Sequence, residues 1–124
     1  MAFVLLVGSG DPDQPMWRSA LEGRGHAVVE AETGTFLGIA ETEPVEVVVI
    51  DISPLRHGVH LIGIMELRHR RPSIKIIAVC GGRDADTLLG MAVQAGADAT
   101  LRKPFSGERL VRTVARCLGQ PLVT

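Results

Sequence analysis

Runs of apolar residues alternate along the chain with segments in which apolar residues recur every three or four positions. Continuous runs rich in valine and isoleucine are typical of parallel strands that are covered on both faces. Five such runs predict five strands: Phe3–Val7, Ala27–Val29, Val45–Ile50, Ile74–Val79 and Ala97–Leu101.

The segments between the runs have the periodicity of helices that bury one face. The predicted buried faces are Trp17, Ala20 and Leu21; Leu61, Ile64, Met65 and Arg68; Leu88, Met91, Ala92 and Ala95; and Leu110, Val114 and Cys117, with a further short helix at Thr35–Ala40. Strand and helix alternate five times. This alternation predicts an α/β fold with a doubly wound parallel sheet and right-handed crossovers.

Several residues are suited to the ends of these helices. Asp13 is predicted to cap a helix that has Pro15 in its first turn. Gly25 and Gly96 follow helical segments, where a glycine with positive φ often ends a helix. Three basic residues lie at the end of the third predicted helix: Arg68, Arg70 and Arg71. Two interpretations stay open, a solvated helix end, which is the commoner arrangement, or a basic docking patch.

Length and composition exclude several classes of protein. The 124 residues are enough for one domain, predicted at 1–118 and followed by a C-terminal tail at 119–124. A formal net charge of −1 and an aromatic content of 3% disfavour direct binding to nucleic acid. We find no apolar run of membrane-spanning length and no signal peptide. Cys80 and Cys117 lack a metal-ligand spacing and are interpreted as reduced thiols, so we expect a cytoplasmic protein.

The first strand ends in a segment of glycines and aspartates, VGSGDPD. A dinucleotide-binding turn needs Gly-x-Gly-x-x-Gly. Gly8 and Gly10 fit this pattern, but Asp13 stands at its third position. The Lys-Ser or Lys-Thr pair of a P-loop is also missing, so the glycines are interpreted as turn residues.

Two charged residues lie at predicted carboxyl ends of strands, the edge at which open α/β sheets bind ligands. Asp51 ends the apolar run VEVVVID, and Lys103 follows the fifth run and precedes Pro104. A carboxylate here is costly to bury unless it faces a crevice, so Asp51 is a candidate nucleophile or metal ligand. The alternative is that Asp51 caps the next loop through Ser53. The proline keeps Lys103 extended, and the bond between them is of the type that can be cis.

The whole chain resembles the receiver domain of bacterial two-component response regulators, which has the CheY-like, flavodoxin-like fold. The segments that carry the resemblance are VLLVGSGDPD, GHAVVEAETG, VVVIDIS, IKIIAVCGG and GADATLRKPF. The resemblance implies three α/β/α layers with strand order 2-1-3-4-5. It also implies that Asp51 accepts a phosphoryl group from a histidine kinase or phosphotransfer protein, and that Lys103 contacts this group. The chain is then a signalling domain, not an enzyme.

The sequence departs from the family at the metal site. The family has an acidic pair after the first strand that helps to hold Mg²⁺, and Gly8 and Ser9 stand at these positions. The remaining candidate ligands are the Asp51 carboxylate, the Ser53 backbone carbonyl and Asp11, which is otherwise interpreted as a turn or cap residue. Because Mg²⁺ usually takes one or two carboxylates, we expect weak or absent Mg²⁺ binding and weak phosphorylation.

The two switch positions of the family are changed as well. Cys80 is predicted to stand where the family has a hydroxyl after the fourth strand, and a thiol is a weaker hydrogen-bond donor. Thr100 stands where the family has an aromatic ring in the fifth strand. With the acidic pair absent, Asp51 and Lys103 are predicted to form an ion pair.

Other reactive groups receive structural interpretations. Cys80 is taken as a buried, unreactive cysteine, because nothing cationic adjoins it in the sequence. His57 and His60 are taken as solvated, because a metal site needs more ligands on one face.

Three functions therefore stay open. The first is a receiver that is phosphorylated on Asp51. The second is a phosphorylation-independent receiver-like module that binds a protein partner, or a second copy of itself, through its last two helices. The third is a small-ligand domain, because AVCGG and QAGADA resemble parts of cobalamin-binding flavodoxin-like domains. The Asp-x-His-x-x-Gly signature of those domains is missing from the segment that begins at Asp11.

Overall fold

A computed structural model describes residues 1–8 and 10–120, in which five strands and five helices alternate. The strands are β1 (Phe3–Val7), β2 (Ala27–Ala31), β3 (Val47–Asp51), β4 (Lys75–Cys80) and β5 (Ala99–Arg102). The helices are α1 (Gln14–Glu22), α2 (Phe36–Thr42), α3 (His57–Arg70), α4 (Ala85–Ala95) and α5 (Gly107–Cys117). Ser9 and positions 121–124 of the predicted tail lie outside the described residues.

The five strands form one parallel sheet in the order β2-β1-β3-β4-β5. This confirms the doubly wound, flavodoxin-like fold. Val7 of β1 aligns with Ile50 of β3, and Asp51 of β3 aligns with Val79 of β4. The carboxyl ends of the central strands therefore meet at one edge of the sheet, which is where ligands bind in such folds.

A separate hydrophobic cluster covers each face of the sheet, because successive strand residues point to opposite faces. One cluster joins the strands to α1 and α5, through Val4, Leu6, Val47, Val49, Trp17, Leu21, Leu110 and Val114. The other joins them to α2, α3 and α4, through Leu5, Val48, Ile50, Phe36, Ile64 and Leu88. The alternation continues beyond Val49, so it places Asp51 on the α1/α5 face.

Two predicted helix faces are partly wrong. Met65 of α3 and Met91 of α4 were expected in the core, but 57% and 41% of their surfaces are exposed. The reason in α3 is that the helix is apolar on both sides: its buried side includes Ile64 and Leu67, and its outer side exposes Ile62 and Met65. Periodicity alone does not choose between two apolar sides.

The end of α3 is partly solvated, since 46% of the Arg70 side chain is exposed, and its arginines also form specific bonds. Each of them bonds to a neighbouring segment: Arg68 donates to the carbonyl of Gly96, Arg70 pairs with Glu41 and Glu66, and Arg71 donates to the carbonyl of Ala40. The end of α3 is thus tied to α2 and to the turn after α4. Because the guanidinium groups already have these partners, a basic docking patch is disfavoured.

The ends of the helices largely follow the sequence. Helix α1 begins directly after Asp13, and Gly25 and Gly96 have positive φ values of 84° and 128°, as predicted. The Asp13 side chain makes no capping hydrogen bond, which corrects its predicted role. Asp11 instead accepts the Asp13 N–H at 2.7 Å.

The first residues of the predicted tail continue from α5. The N–H of Gly119 donates to the carbonyl of Arg116, and that of Gln120 to the carbonyl of Ala115. Both cysteines are free thiols, and Cys80 is buried. Among the described residues, no helix combines the length and the apolar character needed to cross a membrane.

Gly63 is predicted to be essential for the packing of α3 on α2. A Cβ atom at this position would lie 2.7 Å from Cζ of Phe36, whose side chain is 1% exposed. We expect Gly63→Ala to lower the free energy of unfolding by about 1–3 kcal/mol, measured by urea denaturation. The control is Gly90→Ala in α4, where a Cβ meets nothing within 4 Å and the helix gains about 0.5–1 kcal/mol. Equal stabilisation by both substitutions would contradict this packing.

His26 is predicted to make the fold less stable in mild acid. Its Nδ1 accepts the Ala2 N–H at 3.0 Å, and burial lowers its pKa below the usual 6.5. The unfolded chain therefore takes up a proton first as the pH falls through 6.5, and stability is lost by about 1 kcal/mol or less per pH unit. His26→Asn should reduce this slope between pH 7.5 and 5.5, whereas His69→Asn, at an exposed position, should leave it unchanged.

Candidate functional site

Asp51 and Lys103 reach the same edge and the same face of the sheet. Asp51 is the last residue of β3 and lies on the α1/α5 face, where Val49 is also found. Lys103 follows β5 directly, two residues after Leu101, whose side chain packs on that same face. Strand alternation thus brings the two charged side chains together across the end of β4.

Lys103 forms ion pairs with two aspartates. Its Nζ lies 2.8 Å from Oδ1 and 2.9 Å from Oδ2 of Asp51, which confirms the predicted pair. It also pairs with Oδ2 of Asp11, from the loop between β1 and α1. Asp11 is therefore both the turn residue that the sequence indicated and a member of the site. We call Asp11, Asp51 and Lys103 the carboxylate–lysine cluster.

The carboxylate–lysine cluster is largely shielded from solvent. Side-chain exposure is 2% for Asp51, 15% for Asp11 and 23% for Lys103. Burial acts to lower the pKa of Lys103, but hydrogen bonds and charge from the two aspartates outweigh it, so the pKa lies above its usual value. Burial acts to raise the pKa of Asp11, but its bonds to Lys103 and the Asp13 N–H leave it below the usual value. Asp11 and Lys103 are therefore ionised at neutral pH.

Aromatic side chains cover the lysine. The Lys103 ammonium lies 5.3 Å from the centre of the Trp17 ring, and Trp17 stacks on Phe105 with ring centres 5.1 Å apart. A cation over an indole face is an attractive contact. The Lys103–Pro104 peptide bond is cis. Because Trp17 is the chain's one tryptophan, its fluorescence reports on the environment of Lys103.

Gln14 occupies the space next to Gly8. A Cβ atom on Gly8 would lie 1.8 Å from Oε1 of Gln14, whose Nε2 donates to Glu30 at 2.8 Å. Gly8 follows the aligned pair Val7 and Ile50, so it stands opposite Asp51. The position that lacks an acidic side chain is therefore filled by an amide from α1. No pattern in the sequence linked Gln14 to the site.

Ser53 and His60 are bonded to each other beside Asp51. The Ser53 N–H donates to Nδ1 of His60 at 3.1 Å, and the Ser53 carbonyl accepts the Arg56 N–H. His60 is 2% exposed, so its interpretation as a solvated residue is wrong, whereas His57 is exposed. The missed signal is that His60, Ile64 and Leu67 follow helical spacing on one side of α3.

Cys80 is the last residue of β4, where the sequence predicted the first switch position. Its side chain is buried in the cluster with Ile50 and Ala78, and the charges of Asp51 and Lys103 both act on its thiol. Gly81 also borders the site, since a Cβ on it would lie 3.0 Å from Cβ of Lys103. Burial raises the pKa of the Cys80 thiol, in keeping with an unreactive cysteine. Gly81 itself has no side chain with which to bind a ligand.

Thr100 lies away from the carboxylate–lysine cluster. It is half-buried on β5, in register with Ala78 of β4. It lines a cavity of about 960 Å³ along β5 and α5, together with Arg109, Arg112 and Arg116. A threonine here leaves no ring that can move between two positions.

Comparison with known proteins identifies the family. A sequence profile of the response regulator receiver domain matches residues 5–115. The chain belongs to the response regulator receiver family. Among curated proteins, no sequence matches this receiver domain significantly.

Solved structures have the same fold as this receiver domain. A response regulator from Thermotoga maritima is 22% identical, with 97% of this chain and 99% of that chain covered and a TM-score of 0.85. A CheY-like receiver domain protein from Methanospirillum hungatei JF-1 is 23% identical, with 96% and 94% covered and a TM-score of 0.81. A receiver protein from Burkholderia phymatum is 24% identical, with both chains covered fully and a TM-score of 0.81. At these identities the likeness establishes the fold.

Receiver domains generally use Mg²⁺ for phosphorylation. The donors of this receiver fit Mg²⁺ in one respect, because the Asp11 and Asp51 carboxylates converge on one cation, the Lys103 ammonium. They would hold the metal, with the Ser53 carbonyl as the third predicted donor. Among the described residues, no group of three or more His, Cys, Asp or Glu side chains is arranged for a metal ion. Mg²⁺ would therefore compete with Lys103 for two carboxylates.

Proposed function

We propose that Asp51 of this receiver accepts a phosphoryl group in a two-component phosphorelay, and that the transfer is weak because Lys103 competes with Mg²⁺. The observation that supports this proposal is the ion pair between the buried Asp51 and Lys103 at the carboxyl edge of the sheet. Ligands bind at this edge of the sheet in such folds, and a fixed ammonium beside the carboxylate favours added negative charge.

The proposed transfer converts Asp51 into an acyl phosphate. An Asp51 oxygen would form a bond to phosphorus while the P–N bond of a phosphohistidine breaks. The histidine nitrogen leaves with the electron pair of that bond and takes up a proton from water. Lys103 contributes by orienting the Asp51 oxygens and by attracting the oxygens of the incoming group. Mg²⁺, when bound, would supply further neutralisation of the phosphoryl oxygens.

The charges of the carboxylate–lysine cluster explain why the transfer is expected to be weak. Two carboxylates and one ammonium leave a formal charge of −1. A second cation therefore gains less from this cluster than from carboxylates that have no ammonium partner. In addition, Gln14 fills the space beside Gly8 from which the family's acidic pair would act.

Receiver domains interact with histidine kinases or phosphotransfer proteins. We propose that such a protein is the donor for Asp51, and that an output partner or a second copy binds the surface of α4 and α5. We also propose that the receiver is cytoplasmic, as its two free thiols indicate.

A second candidate function is a phosphorylation-independent interaction module. It is favoured by the two altered switch positions, because the Cys80 thiol is a weaker hydrogen-bond donor than a hydroxyl and Thr100 has no ring. In this case Lys103 serves as a permanent counter-ion of Asp51, and partner binding does not depend on phosphate.

Labelling with a small phosphodonor tests the proposed function. The receiver is incubated with acetyl phosphate at millimolar Mg²⁺, and peptides are mapped by mass spectrometry. We expect slow, Mg²⁺-dependent labelling of Asp51 that Asp51→Asn abolishes and Asp84→Asn, at an exposed position, leaves intact. Labelling that survives in Asp51→Asn would contradict the assignment of Asp51. No labelling at all would instead favour the phosphorylation-independent module.

A further inference from the structure

His60 connects two loops at the edge of the sheet where Asp51 lies. Its Nδ1 accepts the N–H of Ser53, in the loop after β3, at 3.1 Å. Its Nε2 lies 2.9 Å from Oγ1 of Thr33, in the loop after β2. The imidazole thus joins Thr33 to Ser53, two residues that are 20 positions apart in the chain. Ser53 is only two residues beyond Asp51.

These contacts determine where the imidazole carries its proton. A backbone N–H can only donate, so Nδ1 must be the unprotonated nitrogen that accepts from Ser53. An imidazole whose Nδ1 carries no proton is the neutral form of the ring. A neutral ring with a bare Nδ1 holds its proton on Nε2 and donates it to Thr33.

The backbone that follows Asp51 is held by consecutive hydrogen bonds. The Ile52 N–H donates to the carbonyl of Val79 at 2.8 Å, and the Ser53 N–H donates to His60. Ile52 and His60 are 1% and 2% exposed, so water does not readily replace these bonds. Without the imidazole, the Ser53 N–H would be half-buried without its acceptor, which is unfavourable.

We infer that His60 is a positioning residue, which fixes the loop after β3 and thereby holds Asp51 in register with Lys103. Its effect on phosphoryl uptake rests on the proposed function, but its effect on the loop does not. His60 acts through Ser53 and does not itself touch the reacting atoms.

Two substitutions separate the hydrogen bond from the packing of the ring. In His60→Asn the amide oxygen lies near the place of Nδ1 and still accepts from Ser53. In His60→Gln the amide lies near the place of Nε2, so Thr33 keeps a partner and Ser53 loses its acceptor. Asn is the smaller side chain. If His60 acted through packing alone, His60→Asn would therefore disturb the loop after β3 more than His60→Gln does.

Amide hydrogen exchange followed by NMR tests the inference without phosphate. In His60→Gln we expect exchange of the Ser53 amide to accelerate about fivefold to tenfold, the loss expected for one hydrogen bond. In His60→Asn it should stay within about twofold of the unaltered chain. Acetyl phosphate labelling of Asp51 should fall in the same order. Equal effects of both substitutions, or a larger effect of His60→Asn, would overturn the inference.

A measurement on the unaltered chain covers the case in which the variants do not fold. A long-range ¹H–¹⁵N spectrum of the histidine rings should show the His60 proton on Nε2 and none on Nδ1. A proton on Nδ1 would overturn the inference. If Asp51 is never labelled but the Ser53 exchange follows the expected order, the proposed function fails and the positioning role stands.

Discussion

Lys103→Met is expected to increase the affinity of the receiver for Mg²⁺ by about tenfold or more, because it removes the cation that now lies between two carboxylates. The substitution leaves Asp11 and Asp51 facing each other without a counter-ion. In the absence of Mg²⁺ the free energy of unfolding should fall by roughly 2–3 kcal/mol, toward the low end for a broken buried ion pair, because Lys103 is partly exposed. Millimolar Mg²⁺ should restore most of this loss.

Urea denaturation with and without Mg²⁺ measures both effects, and Trp17 fluorescence provides the signal. Lys75→Met is the matched control, because Lys75 is the other lysine of the chain and lies at the start of β4, away from the carboxylate–lysine cluster. It should change neither the Mg²⁺ response nor the fluorescence of the folded state. If Lys103→Met binds Mg²⁺ no more tightly than the unaltered chain, then Lys103 is not what limits metal binding.

Gly8→Asp is expected to raise the rate of Asp51 labelling by acetyl phosphate about tenfold or more at a fixed Mg²⁺ concentration. The new carboxylate would stand opposite Asp51, one step beyond the aligned pair Val7 and Ile50. It provides Mg²⁺ with a donor that Lys103 does not already hold. The end of the flexible Gln14 side chain must move, and this costs its hydrogen bond to Glu30.

Gly8→Asn separates charge from the displacement of Gln14. Asparagine has the size of aspartate and displaces Gln14 in the same way, but it carries no negative charge. We expect Gly8→Asn to leave the labelling rate within about twofold of the unaltered chain. An equal increase in both variants would show that Gln14 blocks access, and the argument from a missing carboxylate would then be wrong.

The fold was predictable from the sequence because its signals are local and repeated. The strands in the middle of the sheet are buried on both faces, which requires continuous apolar runs such as Val47–Ile50. Gly25 and Gly96 mark turns that need positive φ. The outer side of α3 was not predictable, because Ile62 and Met65 are as apolar as the residues that α3 buries.

The pairing of Asp51 with Lys103 was predictable, whereas the rest of the site was not. Asp51 ends β3 and Lys103 follows β5 on the same face of the sheet, so strand alternation alone brings them together. Asp11 and Gln14 reach the site from a loop and a helix. The direction of their side chains depends on backbone turns, which leave no periodic pattern of apolar residues in the sequence. Cys80 was assigned to the site because it ends β4, and both charges of the ion pair act on its thiol. The approach of Gly81 to Lys103 was not predicted, because a glycine has no side chain that marks a contact.

Backbone NMR of the unaltered chain tests the central claim most directly, with a titration of Mg²⁺ followed by addition of beryllofluoride, a mimic of the phosphoryl group. If Asp51 is the acceptor and Lys103 competes with the metal, the amides of Asp51, Gly81 and Lys103 shift in a saturable way, and only at millimolar Mg²⁺. Saturation at micromolar Mg²⁺ would contradict the competition by Lys103. The absence of any shift at these amides, even with beryllofluoride, would contradict the assignment of Asp51 as the phosphoryl acceptor.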